Sequence, residues 1–360
     1  AKLPFDAILS SLVVKSASSS ESPLVKDTDY AAYYSDGSLI VETIEGGAAK
    51  DATKLFISYD KVKTTEIGDD DIVKGIEAID LCMATVSITP DLIIAPGWSH
   101  TSTVQAVMAA KAEVINGILG AKSICDIDCS ASGARSYDAV AAKKSATNLI
   151  DPAQIAVWPQ VKLGSKQFHL STQLAGLMAK VDSGNDGVPY ESPSNKALQC
   201  DGACLEDGTD VTLTLEQANI LNANGICTAL KFMNGFVAWG NYTACYPSNT
   251  DIKDYFIPIS RMFKWVGNSL IKTFWSKTDS PMNRRLLDNI KDSANNWLAG
   301  LVGSEYLLGA RVEILDSENP MTDLMAGIVR IHIYMTPPSP AQEIDFVLEY
   351  DTDYVQSALA

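Results

Sequence analysis

Histidine is scarce in this chain: three in 360 residues, at positions 100, 169 and 332, with no spacing that suits a metal triad. No G-x-G-x-x-G and no G-x-x-x-x-G-K-[ST] occurs, so no phosphate-cradling loop is available. No uninterrupted apolar run reaches the length of a membrane-spanning helix, so no span is expected. The short apolar run around Ile8–Val14 is broken by serines and does not read as a signal peptide. Basic residues are in the minority, 28 against 44 acidic ones, for a net charge of −16. A chain this acidic is a poor nucleic-acid binder, because phosphate recognition needs a Lys/Arg surface. It is also repelled by anionic lipid.

Cysteine is present but not organised. The seven cysteines are an odd, scattered set, expected to be reduced thiols. Cys125/Cys129 and Cys200/Cys204 have wider spacing than the C-x2-C knuckles of a zinc site. Asp126 and Asp128 lie between the first pair and read as an acidic loop before they read as a cation site. Neither a metal nor a cofactor is expected.

What is present is ample apolar material for a core, 46% of residues, spread over a length that suits two or three domains. The expected fold is mixed α/β and α+β in several domains. Residues 1–66 form a small β-rich sandwich or barrel-like domain. Short apolar segments there (Leu39, Val41, Ile44 and Lys54–Tyr59) alternate with turns at Ser35–Gly37 and Gly46–Gly47.

Residues 67–250 form an α/β core domain. Asp69–Asp71 favour a helix start. Asp91–Ala95 is a buried strand ended by Pro96–Gly97, and Thr103–Leu119 has helical spacing. Ile155–Trp158 is a strand and Leu174–Val181 a helix. Cys227–Phe232 and Phe236–Trp239 flank Asn234–Gly235, a hairpin turn signal.

Residues 251–360 form a C-terminal α+β assembly subdomain. A helix is expected from Pro281, capped by Ser280, with Leu286, Ile290, Ala294, Trp297 and Leu301 on one face. Two alternating segments close the chain. Val329, Ile331, Ile333 and Met335 share one face of the first, and Ile344, Phe346, Leu348 and Tyr350 one face of the second. Pro337, Pro338 and Pro340 between them rule against a tight hairpin.

The best enzymatic reading is an α/β serine hydrolase using Ser99, in the run Pro90–His100. It departs from the nucleophile elbow G-x-S-x-G, because position 101 is Thr. Adjacency of His100 says nothing about a triad, which is assembled in space. The aromatic clusters at Trp239–Asn241 and Arg261–Phe263 read as core or interface before they read as a substrate or glycan pocket.

Four motifs carry a resemblance. They are PDLIIAPGWSH at Pro90, SPSNK at Ser192, WGNYTACYPSNTDIKDYFIPISRMF from Trp239, and ENPMTDLMAGIVRIHIYMTPPSPAQEIDFVLEYD from Glu318. In these the chain resembles the contractile phage tail sheath family, in particular sheath proteins of Gram-positive prophages and phage-like particles, over nearly all residues from about 25 onward.

The resemblance implies a structural protein and not an enzyme. Its partners would be copies of itself in a helical homopolymer, an inner tail tube, and baseplate and terminator proteins. It would be assembled in the host bacterial cytoplasm and reside in the virion tail. The energy of contraction would be held in a metastable lattice. Two departures stand out. The family carries an N-terminal arm, after which this chain is expected to begin. The stretch Asp69–Glu77 is also shorter than the family's glycine-rich connection.

Two sites are expected on this basis. Val329, Ile331, Ile333, Ile344, Phe346, Leu348 and Tyr350 would form an assembly surface by strand addition. Arg284 and Lys291, on the polar side of the 281–301 helix, would form a contact to an acidic tube.

Overall fold

The computed structural model describes residues 1–16, 22–233 and 235–359. They fall into two compact units, Ala1–Asp71 and Ile72–Ala360.

The described residues of the first unit form five strands: β1 (Lys2–Pro4), β2 (Val13–Lys15), β3 (Tyr30–Ser35), β4 (Ser38–Thr43) and β5 (Phe56–Ser58). β1, β4 and β3 form one antiparallel sheet in that order, and β2 pairs with β5. The β3–β4 hairpin closes at Ser35↔Ser38 through Asp36 and Gly37, with φ of 48° and 67°. Two successive left-handed residues give the turn whose twist matches the strands. Alternation then places Leu39 and Val41 inward, both fully buried, with Val41 beside Val14, Tyr30 and Ala32. At the second turn the Asp29 carboxylate accepts the N–H groups of Val25 (2.8 Å) and Ala48 (2.9 Å), which holds its pKa below the ordinary range. A Cβ on Gly47 would lie 2.7 Å from the Asp29 backbone, so only glycine fits there.

α1 (Asp69–Glu77) starts at the acidic triplet, and α2 (Cys82–Val86) follows. The second unit is then built on β6 (Leu92–Ile94), α3 (Ser102–Glu113), β7 (Lys122–Asp126), α4 (Tyr137–Ala146) and β8 (Gln154–Val157). After these come β9 (Gln160–Leu163), β10 (Lys166–Phe168), α5 (Leu170–Gly184), β11 (Gly202–Cys204), β12 (Asp210–Val211), α6 (Leu215–Asn222), β13 (Ile226–Lys231) and β14 (Phe236–Trp239). The main sheet has the order β14-β13-β8-β7-β6. Its four strands β6, β7, β8 and β13 are parallel, with β14 antiparallel at the edge. A small antiparallel sheet, β10-β9-β11-β12, stands beside it.

The central strands are buried on both faces, as a helix-covered parallel sheet requires. Alternation divides them cleanly. Cys125, Ala156 and Ile226 face a core built with α3, α4 and α6, whereas Ile124, Ile155 and Cys227 face one built with α5. The mixed α/β expectation holds.

Several boundaries differ from the sequence reading. The helix expected to Leu119 ends at Glu113, because Asn116 and Gly117 adopt left-handed φ (49° and 78°) and turn the chain back into β7. α6 begins at Leu215 under a Thr214/Gln217 capping box that the apolar pattern did not reveal. The β13–β14 hairpin forms as expected, with Lys231 opposite Phe236, although Asn234 lies outside the described residues.

The chain ends with α7 (Ile252–Tyr255), α8 (Ile257–Phe274), α9 (Arg284–Gly303), β15 (Gly309–Glu313), α10 (Met321–Met325), β16 (His332–Thr336) and α11 (Thr352–Leu359). α9 is capped by Asn283, whose side chain accepts the Leu286 N–H at 2.9 Å, and not by Ser280. β15 and β16 form a two-stranded antiparallel sheet with Val312 opposite Ile333. Its apolar face packs with Ala294, Leu298 and Leu301 of α9 and Met262 and Val266 of α8.

Candidate assembly surface

Ser99 is not placed for catalysis. It sits in the turn after β6, fully buried, and its hydroxyl donates to Asp126 Oδ2 (3.0 Å) while accepting the Asp126 N–H (3.0 Å). Asp126, at the end of β7, also accepts the Ser171 N–H (3.1 Å) and hydroxyl (2.6 Å). A carboxylate from the sheet thus caps the start of α5, where the N-cap residue His169 makes no side-chain cap of its own. His169 Nδ1 lies 3.6 Å from the same Asp126 oxygen and has no hydrogen-bond partner among the described residues. A cleft of about 220 Å³ at these strand ends is lined by His100, Asp126, Asp128, His169 and Glu206, among others, but not by Ser99. A hydroxyl locked to a buried carboxylate, with no histidine hydrogen-bonded to its oxygen and no place in the lining of the cleft, is a structural tie. The thiol of Cys125 is likewise buried, and desolvation pushes its pKa up to about 12.

The C-terminal surface is different in kind. Only part of the expected alternating pair is strand. β16 starts at His332, so Val329 and Ile331 precede it, while Ile333 lies within it. Asn319 fixes this entry. It is buried, its amide donates to the carbonyls of Leu315 and Arg330 (both 2.9 Å), and its Oδ1 accepts the Arg330 N–H (2.7 Å). The strand paired with β16 is β15, which the sequence reading missed.

Asn295 of α9 satisfies the outer edge of β15. Its Oδ1 accepts the Val312 N–H at 2.9 Å, and its amide donates to the Val312 carbonyl at 3.4 Å. Val312 therefore turns its backbone groups away from β16. Its antiparallel partner Ile333 must turn its own away from β15. Among the described residues, the free edge of the sheet is thus on β16, and Ile333 presents an N–H and a C=O along it. Arg311 stacks over Tyr334 at 3.7 Å and covers the polar face.

Ile344–Tyr350 forms no strand in the single chain, which corrects the expectation. Neither β15 nor β16 pairs with it, and the three prolines carry the chain away from β16. Ile344, Phe346, Leu348 and Tyr350 are 69%, 86%, 94% and 78% exposed. One side of the segment is thus an apolar row with no core to enter, and the intervening positions include Asp345 and Glu349. Upstream, residues 338–344 border a groove of about 930 Å³ with Ser192, Ser194, Lys196, Trp239 and Asn241, and the Tyr242 hydroxyl donates to Gln342 Oε1 at 2.7 Å. Three of the four motifs quoted above meet at this groove.

Arg284 is the first residue of α9, with its side chain 95% exposed and a loose 3.6 Å approach to Asp288. Lys291 lies two turns on and is half-buried. The apolar face of this helix forms as expected, with Ala294, Leu298 and Leu301 buried.

No family model matches the chain. A curated tail sheath protein of Burkholderia phage BcepMu is 25% identical over 349 residues, covering 91% of this chain and 71% of that protein. The chain is thus similar over most of its length to a phage tail sheath protein. Solved structures agree on the fold. The sheath of the extracellular contractile injection system PVC, in its contracted state, superposes with a TM-score of 0.61 at 18% identity, covering 80% of this chain and 82% of that one. The contracted helical sheath of the anti-feeding prophage gives 0.59 at 21% identity, covering 82% and 78%. The hydrolase alternative finds support neither in the geometry at Ser99 nor in these relatives.

Proposed function

We propose that this chain is the repeating subunit of a contractile tail sheath. Copies polymerise helically around an inner tube, join a baseplate and a terminator at the ends, and rearrange into a shorter lattice that drives the tube through a target envelope. The virion tail, assembled in the host cytoplasm, is the corresponding location.

The observation in this chain that carries the polymerisation step is the exposed alternating segment Ile344–Tyr350, set against the free β16 edge at Ile333. An apolar row that finds no core in its own chain gains one by lying beside a neighbour's edge strand. Burial of four such side chains contributes roughly 1.5–3 kcal/mol each. Donation from each subunit to the next is head-to-tail and does not close on itself, so it propagates.

Arg284 and Lys291 are proposed to face the tube. A cation at a helix N-terminus opposes the helix dipole and costs ~0.3–1 kcal/mol, so Arg284 and its neighbour Arg285 have no reason in the helix itself to be there.

The test of the central proposal is deletion of residues 343–360 from the full chain. Electron microscopy should show a folded protein without tubular polymers. Normal tubes from the deletion would refute strand donation.

A further inference from the structure

We infer that Tyr242 and Gln342 form a catch that sets the reach of the donated strand. This rests on the strand-donation reading above and adds to it a fixed point within the donor's own chain.

The first support is rigidity on the Tyr242 side. Its ring stacks on Tyr246 (centroids 4.1 Å apart, 26° between planes) and meets Tyr255 edge-on at 5.4 Å. Its backbone bridges to Phe256, and the next residue, Thr243, donates its N–H to the Tyr255 carbonyl at 2.8 Å. The hydroxyl is thus held at a fixed place on the body of the unit. Burial, the largest cause, raises its pKa, so it stays protonated and remains a donor.

The second support is the position of Gln342 in the tail. The last strand ends at Thr336, and among the described residues no backbone ladder holds 337–351. Residues 337–341 contain three prolines and form a stiff spacer, extended at ~3.1 Å per residue. Gln342 follows this spacer directly and precedes the exposed apolar row by two residues. The Tyr242 bond therefore divides the tail between spacer and donor strand.

The geometry gives the catch two settings. When it is closed, the donor swings from residue 342. Residues 343–351 then reach about 30 Å at ~3.3 Å per residue. When it is open, the swing point moves back to Thr336 and the spacer together with Gln342 adds roughly 19 Å. A polymer whose subunits shift against one another while staying joined needs such a reserve of length. One neutral hydrogen bond is weak enough to open under that load.

The test uses Tyr242→Phe in the full chain, which keeps the ring and its stacking and removes only the donor. In unpolymerised protein, protease cleavage within 337–343 should rise about fivefold, the equivalent of one hydrogen bond of ~1 kcal/mol. Gln342→Leu should match it, and Gln342→Glu, which keeps an acceptor, should restore slow cleavage. In assembled tubes, Tyr242→Phe should broaden the subunit spacing measured by electron microscopy. Unchanged cleavage in both Tyr242→Phe and Gln342→Leu would overturn the catch. Faster cleavage with wild-type spacing would overturn its role in reach. The 343–360 deletion reads the underlying proposal separately: tubes formed without the donor would refute strand donation whatever the catch does.

Discussion

Lys122 lies at the start of β7, 2% exposed, with its ammonium donating to the Pro152 carbonyl at 2.8 Å and to the Ser260 hydroxyl on α8. Desolvation, and then repulsion from Lys264, bring its pKa down from 10.5 to about 7. Between those two values the unfolded chain holds a proton that the folded chain has given up. Stability therefore rises with pH through this window, by ~1.4 kcal/mol per pH unit from this group alone, and the contribution is flat below it. From pH 7.5 to 9.0 the gain is roughly 2 kcal/mol. Lys122→Met removes the titration. It also strands two acceptors, a pH-independent loss of ~1–3 kcal/mol each.

The assay is urea unfolding of the unpolymerised chain, followed by tryptophan fluorescence at a series of pH values. All six tryptophans lie beyond residue 72 and report the second unit. Tyrosines and thiols titrate alike in both proteins and cancel in the difference. The stability curves of wild type and variant should diverge, with the wild type gaining on the variant as pH rises. Parallel curves would show that the Lys122 ammonium keeps an ordinary pKa and that the desolvation argument is wrong.

Three further outcomes are expected. Asp182→Asn breaks the bidentate pair with Arg261, a guanidinium only 5% exposed, and should cost about 3–5 kcal/mol in the same urea assay; a loss under 1 kcal/mol would show that water reaches the pair. Ser99→Ala leaves Asp126 short of one donor and should cost ~1–3 kcal/mol without altering any ester hydrolysis by the preparation; a hydrolytic background that disappears with the substitution would revive the enzyme reading. Arg284→Glu with Lys291→Glu should leave tubeless polymers intact but slow assembly on tubes and reduce its salt sensitivity; assembly at the normal rate and salt dependence would make the helix structural only.

The elements legible in the sequence were those whose signal is local. The turn at Asp36–Gly37, the acidic start of α1, the buried runs of β6, β8 and β13, and the apolar face of α9 each follow from side-chain periodicity and backbone preference over a few residues. The four motifs also carried the family resemblance without any fold. Hidden from the sequence were the relations that need two distant segments. Asn295 closes one edge of β15 from a helix turn 17 residues away and so leaves β16 as the open edge. Asp126 caps α5 across 45 residues and turns Ser99 from a candidate nucleophile into a tie. Tyr242 meets Gln342 across 100 residues.

The alternation of Ile344–Tyr350 showed which side chains share a face, because period two is a property of an extended backbone. It could not show whether a partner lies in the same chain. Pairing depends on where the proline spacer and the β15–β16 sheet place the two edges in space, and that placement exists only once the second unit has folded.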